Sequence, residues 1–210
     1  MDFDYKSIYF RSQIKKLYSE LKIDIPTNSF GCAHLSSCLN SINSDRNLHK
    51  GNWAYVGVEY GNAKIQGRQV RILFIAMDRG GKNRKDEETF AETQCSFRSS
   101  TECPKNAHMG GVSLIMKELV DDKEPTVYSH QFALTNADKC SKPSKHRKYE
   151  ANEKMRQNCV DHLDREIKVL RPDLIITQGS DPTKTVKRLL KLANPTDTFK
   201  HSDGRGKCDI

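Results

Sequence analysis

The chain of 210 residues is long enough for one domain with a single buried core. Hydrophobic residues make up 36% and charged residues 30%, which excludes a disordered chain, and no apolar run nears the roughly 20 residues needed to cross a bilayer. The net charge of +8 favours an acidic partner. The opening MDFDYKSIYF carries two acids and lacks the basic flank and apolar core of a secretory signal. A cytoplasmic protein with no membrane partner is therefore expected. Seven cysteines are many for such a chain; disulfides are disfavoured there, leaving metal binding or plain buried thiols.

Over residues 5–21, Ile8, Tyr9, Ile14, Leu17, Tyr18 and Leu21 recur at helical spacing and predict an amphipathic helix. TNSFGCAHLSSCLNS is polar and glycine-punctuated, hence a loop. WAYVGVEYG and QVRILFIAM read as strands, joined by the turn-rich GNAKIQG. Residues 79–107 lack periodicity and read as one long loop, of the kind that is functional or mobile in a compact domain. GGVSLIMKELV opens a helix, QFALTNAD is a third strand, and KCSKPSKHRK a basic loop. Met155, Val160, Leu163, Ile167 and Leu170 mark a helix over residues 149–170 that stops before Pro172. DLIITQG is a fourth strand, and PTKTVKRLLKLA a helix with Pro182 near its first turn.

Strands alternating with helices predict an α/β fold, a mainly parallel sheet covered on both faces. In such sheets ligands sit beyond the carboxyl ends of the strands. Three strands end there in Asp78-Arg79-Gly80-Gly81, Thr135-Asn136 and Gln178-Gly179-Ser180. Two basic clusters flank these ends. One holds Lys139, Lys142, Lys145, Arg147 and Lys148, the other Lys184, Lys187, Arg188 and Lys191. Together they point to a phosphate backbone as partner.

Four stretches occur in the order seen in the uracil-DNA glycosylase superfamily: FIAMDRGG, NAHMGGVSLIMKEL, FALTNADKC and CVDHLDREIKVLRPDLIITQGS. The chain most resembles the iron–sulfur (family 4-like) class, over roughly residues 70 to 190. The resemblance implies a single three-layer αβα sandwich spanning residues 1–210. It implies a monomeric, monofunctional DNA glycosylase that flips a base out of the stack and hydrolyses its N-glycosidic bond. Asp78 coincides with the carboxylate that orients the attacking water, a role a strand-end acid can fill chemically. Asn136 stands where the family reads the base edge, which a carboxamide can do as donor and acceptor. His108 aligns with an aromatic residue on which the flipped base stacks. Cys140 and Cys159 match the later ligand pair of a [4Fe–4S] cluster, with Cys32 and Cys38 as the earlier pair. Zinc is the competing metal, and Cys95 or Cys103 could replace one of the N-terminal choices. Lys142, Lys145, Arg147, Lys148, Ser180 and Lys184 would meet the DNA backbone.

Two departures from the family pattern carry information. Arg79 and Gly80 replace a proline and its bulky or glycine successor. In the superfamily's Asp-Pro-Tyr version the tyrosine blocks pyrimidines substituted at carbon 5, and Gly80 cannot do so. A pocket for a larger base is expected, such as a hydroxymethylated or glucosylated cytosine of the kind some phage-defence glycosylases remove, beside uracil itself. Second, a His-Pro-Ser-like loop after one more strand is not visible. The chain stops at HSDGRGKCDI, so either that strand lies beyond the sequence or His201 stands in a degenerate motif; the strand-like lead-in favours the former. The contrasting reading is a non-catalytic nucleic-acid-binding protein that keeps fold and cluster without turnover.

Overall fold

The computed structural model describes residues 5–24, 30–42, 48–50, 53–77, 89–143, 149–191, 198–200 and 207–209. In chain order, helices α1 (Tyr5–Glu20) and α2 (Leu35–Asn40) precede the short strands β1 (His49–Lys50) and β2 (Tyr55–Val56). A hairpin of β3 (Ala63–Ile65) and β4 (Arg68–Val70) leads into β5 (Ile72–Ala76). Helices α3 (Phe90–Glu102), α4 (Ala107–Leu119) and α5 (Pro125–Tyr128) come before β6 (Phe132–Asn136). Then follow β7 (Cys140–Pro143), β8 (Tyr149–Glu150), α6 (Glu153–Leu170), β9 (Leu174–Gln178) and α7 (Ser180–Leu190). The strands β10 (Thr198–Lys200) and β11 (Lys207–Asp209) close the order.

The main sheet runs β10-β11-β9-β5-β6-β2. Its centre is parallel: β5 pairs with β6 on one side and β9 on the other. Helical crossovers of the length that parallel pairing requires separate these strands in sequence. All five residues of β5 are buried, as a strand covered on both faces demands. Their alternation feeds two cores. Leu73, Ile75 and Ala133 pack with Ile14, Leu17, Leu163 and Val186 of α1, α6 and α7. Ile72, Phe74, Phe132 and Leu134 pack with Phe97, Val112, Met116 and Tyr128 of α3, α4 and α5. The chain is thus mixed α/β with helices on both faces of the sheet. No helix among the described residues is long and apolar enough to cross a membrane.

Several expectations need correction. The loop foreseen over residues 79–107 contains α3, which begins in a reciprocal capping box: Thr89 Oγ1 accepts from Glu92 N at 3.2 Å, and Glu92 Oε2 accepts from Thr89 N at 2.7 Å. Its buried side is Thr93, Gln94, Phe97 and Thr101, so the helical period is carried mostly by polar residues that a hydrophobicity pattern does not register. Gln94 substitutes for a neighbouring strand, donating to Ala54 O at 2.9 Å and accepting from Val56 N at 2.8 Å. Helix α4 starts three residues before the expected glycine pair, because Asn106 caps it by accepting from Met109 N at 2.9 Å. Likewise α6 starts at Glu153 behind the Asn152 cap rather than at 149.

The GNAKIQG connection is largely the β3–β4 hairpin, turning on Gln66 and Gly67, both at positive φ as a tight two-residue turn requires. The loop expected at KCSKPSKHRK begins as β7, paired with β1 and β8; residues 144–148 lie outside the described residues. The segment read as the lead-in to a strand is itself a strand, β11. β11 pairs antiparallel with β9, Cys208 opposite Gln178, so it covers the edge that β9 would otherwise expose. His201 lies outside the described residues.

Of the strand expected at WAYVGVEYG only Tyr55–Val56 forms, running antiparallel to β6. Gly57 then passes against the neighbouring backbone: a Cβ there would sit 2.0 Å from His130 O. Gly57→Ala is expected to push β2 off β6 and to cost about 2–3 kcal/mol, read as a lowered denaturant midpoint with the slope unchanged.

Candidate active-site crevice and cysteine pocket

β5 and β6 stay side by side beyond their last sheet residues. Asn136 lies opposite Ala76. Ala137 N then donates to Ala76 O at 2.7 Å, and Asp138 N to Met77 O at 2.9 Å. The chain that enters Asp78 therefore leaves the sheet next to Asn136. Asp78, Arg79 and Gly80 themselves lie outside the described residues, as do Lys145, Arg147 and Lys148. Asn136 is buried in the last position of its strand.

β9 reaches the same end of the sheet, and its last residue ties down α4: Gln178 Nε2 donates to His108 O at 3.2 Å. His108 is exposed in the first turn of that helix, so the structure brings it to the carboxyl end of the strands. Gln178 Oε1 is buried and without a hydrogen-bond partner among the described residues. Sequence reasoning singled out the Gln178-Gly179-Ser180 exit but gave Gln178 no role. Ser180 starts α7 and is exposed, while Lys184 is exposed and pairs with Asp181 at 3.8 Å. Lys142 is half-buried in β7, opposite Glu150. Arg156, which the sequence reading passed over, bridges the two strand exits, lying 3.8 Å from Asp138 and 3.2 Å from Asp181.

Behind Asn136 the four cysteines singled out from the sequence come together. Cys32, Cys38, Cys140 and Cys159 all line one small pocket, together with Phe30, His34, Leu35, Leu48, Lys139, Asn158 and His162. They arrive from four places: the turn before α2, α2 itself, the start of β7, and the second turn of α6. Cys95 and Cys103 are exposed on and after α3 and do not line it. Polar groups face three of the sulfurs. Lys139 N donates to Cys159 Sγ at 3.3 Å, Asn158 Nδ2 to Cys38 Sγ at 3.2 Å, and His162 Nε2 lies 3.3 Å from Cys32 Sγ. Burial pushes the Cys159 thiol up to about 12 and raises that of Cys32. The same desolvation, with the positive charge of Lys139, lowers His162 to about 4, so its ring is neutral. Among the described residues no group of three or more His, Cys, Asp or Glu is set to hold a single metal ion.

From the pocket-lining Lys139 to the end of β6 runs a buried polar network. Lys139 Nζ donates to Glu166 Oε2 at 2.8 Å, to Thr135 Oγ1 at 2.7 Å and to Asn136 O at 2.6 Å. Glu166 also accepts from Thr135 Oγ1 at 2.8 Å and from the Tyr18 hydroxyl, which itself accepts from Ala54 N at 3.1 Å. Burial, then the negative charge of Glu166, drives the Tyr18 phenol well above its ordinary value. The side chains of Lys139 and Glu166 are 4% and 0% exposed, so neither charge has water as an alternative partner. Glu166 falls on the buried side of α6 with Met155, Cys159, His162 and Leu163, a face on which only some positions are apolar.

No protein-family model matches the chain, and no curated protein sequence matches it.

Proposed function

We propose that this protein is a monofunctional DNA glycosylase, hydrolysing the N-glycosidic bond of uracil or of a 5-modified pyrimidine flipped out of DNA. The observation that carries this reading is a juxtaposition. The buried Asn136 ends its strand level with the strand that leads into Asp78, and Lys139, which donates to the Asn136 carbonyl, lines the pocket of the four cysteines.

In this reading the Asn136 carboxamide grips the donor and acceptor edge of the base, and His108, at the start of α4, offers a ring for stacking. Asp78 orients the attacking water and offsets the positive charge that develops on the sugar. Tolerance of a substituent at carbon 5 falls, in this reading, to the positions of Arg79 and Gly80. Lys142, Lys145, Arg147, Lys148, Ser180 and Lys184 hold the phosphates, so binding weakens as salt rises.

Cys32, Cys38, Cys140 and Cys159 fit a [4Fe–4S] cluster as its thiolate ligands. Burial holds the Cys159 and Cys32 thiols protonated, so releasing their protons needs a cationic partner, and N–H groups already point at the sulfurs of Cys159 and Cys38. A single zinc would need its ligand sulfurs about 2.3 Å from one point, whereas a cluster interposes its own iron and sulfide. When bound, the cluster would cross-link the N-terminal segment, β7 and α6. Cys140→Ser combined with Cys159→Ser is expected to abolish iron and sulfide content and the visible absorption of the protein as isolated. Full iron retention would remove the cluster assignment.

The deciding experiment is excision from duplexes carrying uracil, thymine, hydroxymethylcytosine or glucosylated hydroxymethylcytosine. Release of a 5-substituted base supports the enlarged pocket, and activity on uracil alone removes it. DNA binding without excision of any base would instead support the non-catalytic reading.

A further inference from the structure

Lys139 stands between two groups to which the proposed activity assigns different tasks. Through its backbone it donates to Cys159 Sγ, and through its ammonium to the carbonyl of Asn136. That carbonyl belongs to the peptide linking Asn136 to Ala137, whose N–H donates to Ala76 O at 2.7 Å. The peptide is thus held at both of its polar atoms, from β5 on one side and from Lys139 on the other. A peptide plane held at both atoms leaves little freedom for the Cα–Cβ direction of Asn136. The anchor for Lys139 is in turn rigid. Glu166 and Thr135 hold its Nζ, and Tyr18 holds Glu166 from α1.

The placement runs against what a bystander lysine would do. Lysine is rarely buried unless paired, and an apolar pair of similar volume would stabilise the core at least as well. Stability alone therefore does not account for a lysine and a glutamate here. Accurate placement of the neighbouring strand end does, because the ammonium's third bond goes to the carbonyl of Asn136, the last residue of β6.

We infer that Lys139, held by Glu166, is a positioning residue that fixes the base-reading Asn136 and ties its orientation to the cysteine pocket. The inference rests on the glycosylase reading for its consequence in catalysis, and on the hydrogen bonds alone for the pinning of Asn136.

The test uses the full chain as isolated with its metal. In Lys139→Met/Glu166→Gln both buried charges are removed together, so no unpaired charge opposes folding, and the backbone N–H to Cys159 is kept. Three quantities are read: iron content, kcat and KM on the best substrate of the base panel, and the side-chain amide resonance of Asn136 in protein labelled with 15N-asparagine. The expected result is iron unchanged within about twofold, KM likewise, kcat lowered by about 100-fold as for a misplaced reacting group, and a displaced Asn136 resonance. Lys139→Arg, which keeps a cation, should recover part of kcat. A wild-type kcat with an unmoved resonance would overturn the inference. So would loss of iron in proportion to kcat, since Lys139 would then act on the metal pocket alone. Should wild type excise no base, the glycosylase reading falls, and the resonance still decides whether Lys139 pins Asn136.

Discussion

Asp78→Asn is expected to lower excision about 100- to 10 000-fold, the range over which a positioned acid–base group contributes, while affinity for DNA stays within a few fold. Asparagine keeps the size and one hydrogen-bonding oxygen of aspartate. It lacks the negative charge that would polarise water and face a developing oxocarbenium-like sugar. In the glycosylase reading the phosphate contacts fall to the two basic clusters, which this substitution leaves untouched, and such contacts dominate affinity. Single-turnover excision measured beside fluorescence anisotropy at one fixed salt concentration separates the two quantities. An unchanged excision rate would take Asp78 out of the chemistry. The companion change Gly80→Tyr should spare uracil and exclude bases substituted at carbon 5, which assigns the neighbouring position to selectivity rather than rate.

Lys139→Met alone carries the largest expected effect on stability, about 3–5 kcal/mol, the usual cost of leaving one member of a buried ion pair without its partner. Glu166 would keep its bonds from Thr135 and Tyr18 but lose the only cation within 4 Å among the described residues. Glu166→Gln alone should also destabilise, because the buried ammonium then faces neutral oxygens only. The double variant should recover most of the loss. The two single changes are therefore strongly non-additive, a coupling that denaturant titrations of the four proteins measure directly. Additive losses would show that the two charges do not depend on each other.

The parts of the fold legible from sequence were those in which one physical signal dominates. β5 is a run of apolar residues ended by Asp78-Arg79-Gly80-Gly81, and α1 and β9 show clean periodicity or continuous apolar character. α3 was hidden because its buried face is threonine and glutamine apart from Phe97, and only the capping pair Thr89 and Glu92 announces it. β7 was hidden because lysines and proline imitate a solvated loop, yet β1 and β8 flank it on both sides. β11 read as a strand's lead-in rather than a strand, since its pairing partner β9 lies about thirty residues earlier and only tertiary pairing completes it.

The site divides the same way. Strand-end logic and motif order pointed from the sequence to Asn136, His108 and the four cysteines, since each is a residue type with a chemistry of its own. Sequence by itself determined the alternation of strands and helices, the basic character and the set of possible ligands, because these depend on composition and local period. Only the tertiary structure decided that four cysteines, from three elements and the turn before α2, line one pocket, and that Cys95 and Cys103 do not. Only it decided that Lys139 and Glu166, two of many charges in a basic chain, are the pair withdrawn from water. The physical reason is that burial and pairing are set by what folds against a residue. For Lys139 that is a carboxylate 27 positions away on α6 and a carbonyl at the end of its own strand's exit.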